Sequence, residues 1–336
     1  MAIATTNGQV LDAFSKMRIK HPLLVTAHQL YDDLRDAKRL SHGRPQKFGA
    51  LFAPSQSGKS MSVQTYIETR VVDDAIARGL FPADMERAEI ARQQKIVLHV
   101  TLSAKASMKG LATDILAAFG DPASPRGTTQ TLFKRVYDYV RHFETELIFI
   151  DEIQHIGDTY TKVENQPWIG RSGIVQSTAV TDTLKTFLLQ GVVPLMFIGI
   201  EEARHHIFND IQLASRCYKE LDFKALDIAN NSEKNVFFDY VGRLGLKLQR
   251  HGLFEESTNL LLGDIPAHLH TCAGGRLGMA TNIVLAAAIV AREANATCVT
   301  REHVAQAVDD WAIPLNIIDH NPFRTGARTF DVRASA

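Results

Sequence analysis

Apolar and polar positions along the chain fall into two periodicities, and their order describes a fold. "HQLYDDLRDAKRL" (28–40) places Leu30, Tyr31, Leu34, Ala37 and Leu40 at helical spacing and leads through the polar loop "SHGRPQK" to a short apolar strand, "FGALFA". The chain from "QSGKS" to Gly79 is helical in pattern. "KIVLHVTL" (95–102), "ELIFIDE" (146–152) and "VVPLMFIGI" (192–200) are further strands, apolar almost throughout, as expected of parallel strands covered on both faces. Helical stretches separate them: "KGLATDILAAFG", "QTLFKRVYDYVRHF" and "TDTLKTFLLQ". "EEARHHIF" and "IQLASRCY" read as short helices or turns. The alternation predicts an α/β fold, a parallel sheet flanked by helices. Beyond about residue 230 the strand signal fades. Four helical segments, 232–249, 257–273, 275–293 and 300–312, predict a smaller C-terminal helical subdomain, and "NPFRTGARTFDVRASA" reads as an extended tail.

The resulting division is an N-terminal helical extension (1–46), an α/β core (47–229), a helical lid (230–315) and a tail (316–336). Residues 157–178 are polar and without period, which suggests an inserted loop or lid. Composition adds limits. With 45% hydrophobic and 22% charged residues the chain is globular in type. Its most apolar run, "IVLAAAIVA", is closed by Arg292 and Glu293, well short of the roughly 20 residues a membrane span needs. No apolar signal core opens the chain, so a cytoplasmic protein without a membrane role is expected. Cys217, Cys272 and Cys298 are odd in number and widely spaced, in keeping with reduced thiols. Acidic and basic residues balance at 37 each, so any contact with nucleic acid must come from a local patch. Residues 1–48 carry eight basic against four acidic side chains, an excess that a solvated helical face explains about as well.

The strongest chemical signal is "APSQSGKS" between the first strand and its helix. Backbone N–H groups of such a loop surround a phosphate, a lysine neutralises the outer phosphates and a hydroxyl ligates magnesium. Pro54, Ser55, Gln56, Ser57, Gly58, Lys59, Ser60 and Met61 form this candidate nucleotide-contacting run, although Ala53 stands where glycine usually opens the loop. About ninety residues on, "LIFIDE" ends an apolar strand in Asp151 and Glu152, suited to hold the magnesium shell and to polarise an attacking water. ATP and Mg2+ are the expected cofactors, with Ser60 and Asp151 as metal-side residues. No His/Cys/Asp cluster has zinc spacing, and His155 is more simply a hydrogen-bonded histidine than a catalytic one.

"APSQSGKS", "SAKASMKGLATDIL", "LIFIDEIQHI", "FIGIEEAR", "QLASRC", "GGRLG" and "NPF" together resemble the TniB/TnsC-like AAA+ ATPases of transposition, over roughly residues 21–323. This resemblance implies an AAA+ P-loop fold and an ATP-dependent regulator that forms rings or helical filaments of its own copies on duplex DNA. It also implies that the regulator marks target DNA for a transposase and a TniQ-like targeting adaptor. By the same resemblance Arg216 is the arginine finger acting with Glu152 in catalysis, Arg276 a nucleotide-sensing arginine, and Lys105, Lys109, Arg126, Thr128 and Thr129 face DNA. Contacts of this kind hold phosphates without reading bases. One departure is the lack of a polar sensor residue after the fourth strand, where Gly199 and Ile200 stand. It leaves open slow hydrolysis, or a contribution from Glu201 or Glu202. Two other readings remain: a nucleotide-gated scaffold that scarcely hydrolyses ATP, and a protein-directed switch that does not bind DNA.

Overall fold

The structure, a computed structural model, describes residues 3–41, 43–104, 107–156 and 179–326. Lys105, the polar stretch 157–178 and residues 327–336 lie outside them. Two helices, α1 (Asn7–Lys16) and α2 (Pro22–Leu40), precede β1 (Phe48–Phe52). After β1 come α3 (Lys59–Tyr66), a π turn (Ile67–Val71) and α4 (Val72–Ala77), and then α5 (Arg87–Gln93) leads into β2 (Val97–Thr101). Helices α6 (Met108–Phe119) and α7 (Thr129–His142) connect β2 to β3 (Leu147–Asp151), and α8 (Ala179–Leu189) precedes β4 (Leu195–Gly199). Short α9 (Arg204–Phe208) and α10 (Ile211–Ala214) lead to β5 (Cys217–Leu221). Beyond it the described residues form α11 (Asn231–Arg250), α12 (Ile265–Ala273), α13 (Leu277–Glu293), α14 (Arg301–Ala307), a π turn (Val308–Ala312) and α15 (Pro322–Thr325).

The chain clusters into two compact units, one of Leu23–Ser55 and Lys59–Phe223, the other of Met1–Pro22, Gln56–Gly58 and Lys224–Ala336. The first is built on a wholly parallel sheet in the order β2-β3-β4-β1-β5. Side chains alternate along β1: Phe48, Ala50 and Phe52 join Leu111, Ile115, Leu132 and Phe187 on one face. Leu51, followed by Ala53, packs with Leu30, Tyr31, Val63 and Tyr66 on the other. With helices on both faces, β1, β3 and β4 are buried along their whole length, which is why they read as unbroken apolar runs. This is the AAA+ P-loop fold, with a C-terminal helical region.

Of the stretch 211–218, read as a short helix or turn, residues 211–214 form α10 as expected, but Cys217 and Tyr218 open a fifth strand. Tyr218, Lys219 and Glu220 are exposed and only Leu221 is buried, because β5 is an edge strand paired on one side to β1. An edge needs no apolar run, so its sequence lacks one. The long helix expected up to Gly79 is interrupted by the π turn Ile67–Val71, and α5 is an additional helix, while α1 and α2 lie in the stretch read as an N-terminal helical extension.

In the helical unit, the stretch expected to be helical from 257 becomes so only at Ile265. Pro266 fits a helix in its first turn but not further in, so the helix starts beside it. Before it, Thr258 is buried in irregular chain and its hydroxyl accepts from the Val299 N–H at 3.1 Å. The segment read as an extended tail is ordered into the unit through Asn321–Phe323. Asn321 caps α15 by accepting from the Phe323 N–H at 3.0 Å and donates to the Ala305 carbonyl at 2.8 Å. Phe323 is buried, its ring 5.1 Å from His268 and 5.4 Å from the Arg301 guanidinium. The "NPF" triplet therefore serves this chain's own packing. Among the described residues no single helix is long and apolar enough to cross a membrane; α12 and α13 pass only as a pair, bent by 116°.

Candidate nucleotide site

The carboxyl ends of β1, β3 and β4, adjacent in the sheet order, bring the candidate residues together. This is the end of an open parallel sheet where ligands are ordinarily received. Beyond β1, the N–H of Ala53 donates to the Gly199 carbonyl at 3.2 Å, and its methyl group is fully buried. A small side chain suffices here, and alanine supplies it. The loop then turns through two left-handed residues, Gln56 at φ 64° and Gly58 at φ 92°. Turns of this type let successive N–H groups converge on one concavity, and Gly58 adopts its conformation without strain. Gln56, which has a Cβ, holds it at a cost, a sign of a backbone kept for use.

Pro54 is half-buried and Ser55 exposed, as is Met61. The Ser57 hydroxyl oxygen is buried and has no hydrogen-bond partner among the described residues. Lys59, at the start of α3, folds back so that Nζ donates to the carbonyls of Ala53 (2.6 Å) and Pro54 (2.9 Å). Burial pushes the ammonium below its ordinary range, against the opposing pull of Asp151, Glu152, Glu201 and Glu202. Beneath it, the Ser62 hydroxyl donates to the Lys59 carbonyl at 2.6 Å and meets the Tyr31 hydroxyl at 2.9 Å, while His28 Nε2 donates to the Ser62 carbonyl at 3.1 Å. These contacts fix the first turn of α3 against α2.

Asp151, the last residue of β3, is 3% exposed. The Ser60 hydroxyl donates to its Oδ2 at 3.0 Å, as does His99 Nε2 at 3.0 Å, and the Glu152 N–H donates to Oδ1 at 2.9 Å. Burial alone would raise its pKa, but the hydrogen bonds and the His99 ring outweigh burial and hold the carboxyl below the ordinary range. Glu152 follows in a left-handed conformation, φ 61°, and its carboxylate accepts from Gln154 Nε2. His155 Nδ1 donates to the Leu102 carbonyl at 2.9 Å, the hydrogen-bonded role expected of it.

His99 and Gln154 were not among the residues singled out from the sequence. His99 is the polar interruption in "VLHVT", a detectable signal, while nothing in the pattern marked Gln154.

The donor set suits a magnesium nucleotide: a buried carboxylate, a hydroxyl beside it, a lysine with only neutral carbonyls as partners, and an unpaired serine hydroxyl in the loop. Among the described residues no group of three or more His, Cys, Asp or Glu side chains could hold a different metal centre.

Other candidate residues lie apart. Arg216 precedes β5, and its carbonyl accepts from the N–H of Phe48, the first residue of β1. The phosphate-loop candidate leaves the other end of that five-residue strand, roughly 15 Å away at ~3.3 Å per residue. The Arg216 guanidinium has no hydrogen-bond or ion-pair partner among the described residues. Arg276, in the helical unit, is the N-cap residue of α13, and its Nε donates to the Ala273 carbonyl at 3.1 Å. Lys109 is exposed in the first turn of α6. Arg126 is exposed ahead of α7, and the Thr128 hydroxyl caps that helix by accepting from the Thr131 N–H at 3.3 Å, with Thr129 next in the first turn.

Residues 42–207 match the family model described as an AAA domain. No curated protein matches the sequence. Among solved structures, the chain is similar to Cdc6p from Pyrobaculum aerophilum, with 13% identity and TM-score 0.59 over 89% of this chain and 70% of that one. It is similar to the Aeropyrum pernix ORC2 protein in its ADP form, with 14% identity and TM-score 0.58 over 89% and 72%. It is also similar to the Aeropyrum pernix ORC1 protein in complex with DNA, with 16% identity and TM-score 0.56 over 91% and 69%. At these identities the likeness is one of fold. The chain thus carries an AAA domain on an AAA+ P-loop fold.

Proposed function

We propose that the chain is an ATPase that binds ATP and magnesium at the carboxyl ends of β1 and β3, assembles on duplex DNA and marks it for a transposase and a TniQ-like adaptor. The observation that carries the nucleotide part is the pairing of Ser60 with the buried Asp151, beside a lysine bonded only to backbone carbonyls. Pro54 to Met61 would hold the phosphates, with Lys59 as their counter-charge. Ser60 and Asp151 would hold the metal, and Glu152 would accept a hydrogen bond from the attacking water. The bound nucleotide supplies a phosphoanhydride bond whose cleavage times release of the assembly.

Arg216 stands at the opposite end of β1 from the loop, so it can reach a phosphate only in a neighbouring subunit. Its unpaired guanidinium supports that role in trans, since the planar fork meets two phosphate oxygens at once. In this reading 47–229 is the nucleotide core and 230–315 the lid that carries Arg276. For DNA, Lys109 and Arg126 offer exposed charges at helix starts, and the fold is one on which the Aeropyrum pernix ORC1 protein is in complex with DNA. Each contact is weak and indifferent to sequence. A row of subunits adds them along the duplex, which suits a chain of zero formal charge. The transposase and adaptor rest on the motif resemblance. A second reading, a nucleotide-gated scaffold with little hydrolysis, is favoured by one observation: β4 ends in glycine, with no side chain of its own for a phosphate or water.

Electron microscopy of the full chain with unrelated duplex DNA tests the proposal, once with a slowly hydrolysed ATP analogue and once with ADP. Ordered rings or filaments only with the analogue are expected, and Lys59→Ala should abolish them. Assembly that ignores nucleotide, or none on DNA, would turn the reading toward a protein-directed switch. Phosphate release that vanishes in Glu152→Gln would remove the scaffold reading.

A further inference from the structure

Three observations meet at the side chain of Gln154. Its Nε2 donates to Glu152, the one hydrogen bond that the Glu152 carboxylate accepts among the described residues. Its Oε1 accepts from the Ile200 N–H, at 3.4 Å, so the same carboxamide also touches the end of β4. Finally, a Cβ added at Gly199 would stand 3.2 Å from that Oε1, closer than side-chain carbons ordinarily approach. The amide lies in the space that glycine leaves at the end of β4.

An amide suits this position because it donates and accepts at once. It links a carboxylate on a left-handed residue to the main chain just past the end of the neighbouring strand. A glutamate in its place would only accept, and would set a second carboxylate against Glu152.

We infer that Gln154 is a positioning residue for Glu152 and that its amide, reaching across from the 3-10 turn (Ile153–Ile156) that follows β3, fills the role of a polar side chain that β4 lacks at Gly199. The missing polar group is then supplied from the turn after the neighbouring strand, and Gly199 is the accommodation for it. This rests on the ATPase reading, with Glu152 as the residue that orients water.

The test uses the full chain with ATP, magnesium and duplex DNA, and reads steady-state phosphate release beside the affinity for a fluorescent nucleotide. Gln154→Ala and the near-isosteric Gln154→Glu should lower kcat by about 10- to 100-fold, the range for a displaced catalytic group. Nucleotide affinity should stay within about twofold, which separates a transition-state effect from loss of binding. Gly199→Thr alone should also slow release, because its side chain competes with the amide. In the Gln154→Ala background, however, Gly199→Thr should restore much of the rate by placing a hydroxyl where the amide was. That reversal of sign is a coupling which a merely structural contact would not produce.

Parent-like release in both Gln154 variants, a parallel loss of kcat and affinity, or a double variant no faster than Gln154→Ala would overturn the inference while leaving the ATPase reading intact. A parent protein that releases no phosphate would overturn that reading, and the inference with it.

Discussion

The two ends of β3 each carry a buried carboxylate, and their surroundings are opposite in kind. Glu146, just before the strand, is 5% exposed and is met by three arginines. Arg35 Nε donates to it at 2.8 Å, Arg39 Nε at 3.0 Å and Arg78 Nη2 at 2.6 Å, and Asp74 accepts from Arg35 at 2.6 Å and from Arg39 at 2.8 Å. Asp151, the strand's last residue, has a hydroxyl, an imidazole and a backbone N–H instead. Charge-assisted forks at Glu146 close that end, with the buried Arg35 guanidinium joining Glu146 to Asp74. At Asp151 the partners are weaker and exchangeable, and the nearby lysine is bonded to carbonyls rather than to a carboxylate. One end is complete without a ligand, and the other has donors and acceptors that a ligand can redirect.

The largest effect should come from the closed end. Arg35→Met would leave Glu146 and Asp74 short of a guanidinium, at a cost of about 3–5 kcal/mol in denaturant unfolding of the full chain. A loss below about 1 kcal/mol, the scale of a surface ion pair, would break the comparison. At the open end, Lys59→Ala should cost about 100-fold in phosphate release, as for loss of one charge-stabilising donor. Its unfolding free energy without nucleotide should move much less than that of Arg35→Met. Similar destabilisation by the two variants would mean that the lysine is structural.

A sharper contrast is Asp151→Asn, which keeps the shape. Magnesium-dependent nucleotide affinity should drop by about tenfold or more, seen by titration with and without chelator. An unchanged affinity would remove Asp151 from the metal side.

The smallest effect concerns His28, beneath the loop. Burial lowers its pKa, outweighing the raising influence of its bond to the Ser62 carbonyl, so the folded chain keeps the ring neutral. The unfolded chain takes up that proton as pH falls through 6.5, so stability should fall with it. His28→Gln should flatten the slope between pH 7 and pH 5.5, and an identical slope in parent and variant would refute this role.

Much of this contrast was legible in the sequence at its open end and little at its closed end. The loop and the "DE" pair announce themselves because a phosphate site needs fixed residue types at fixed spacing beside apolar strands. Arg35, the Asp74–Arg78 pair and Glu146 are far apart in the chain, and each alone looks like ordinary charge on a helix or at a strand start. Their meeting is tertiary. The edge strand β5 escaped for a related reason, since "CYKEL" has one sheet neighbour and three exposed residues. Gln154 was hidden because its role depends on an empty space at Gly199, forty-five residues on. "NPF" was visible, but its partners, His268 and Arg301, belong to the same chain.

The π turn between α3 and α4 ties the two ends of the strand to a single rod. Its backbone bond from the Val72 N–H reaches back five residues to the Ile67 carbonyl. Every residue of an α-helix advances about 100° around the axis, and one extra residue in a turn resets the angular phase of all that follows. Lys59 and Ser60 lie before that reset and Asp74 after it. Deleting one residue from 67–71 would leave the loop's geometry alone yet swing Asp74 about a quarter turn away from Arg35 and Arg39. That inserted residue acts as a vernier, letting one helix be in register with a site that must stay adjustable and with a knot that must not.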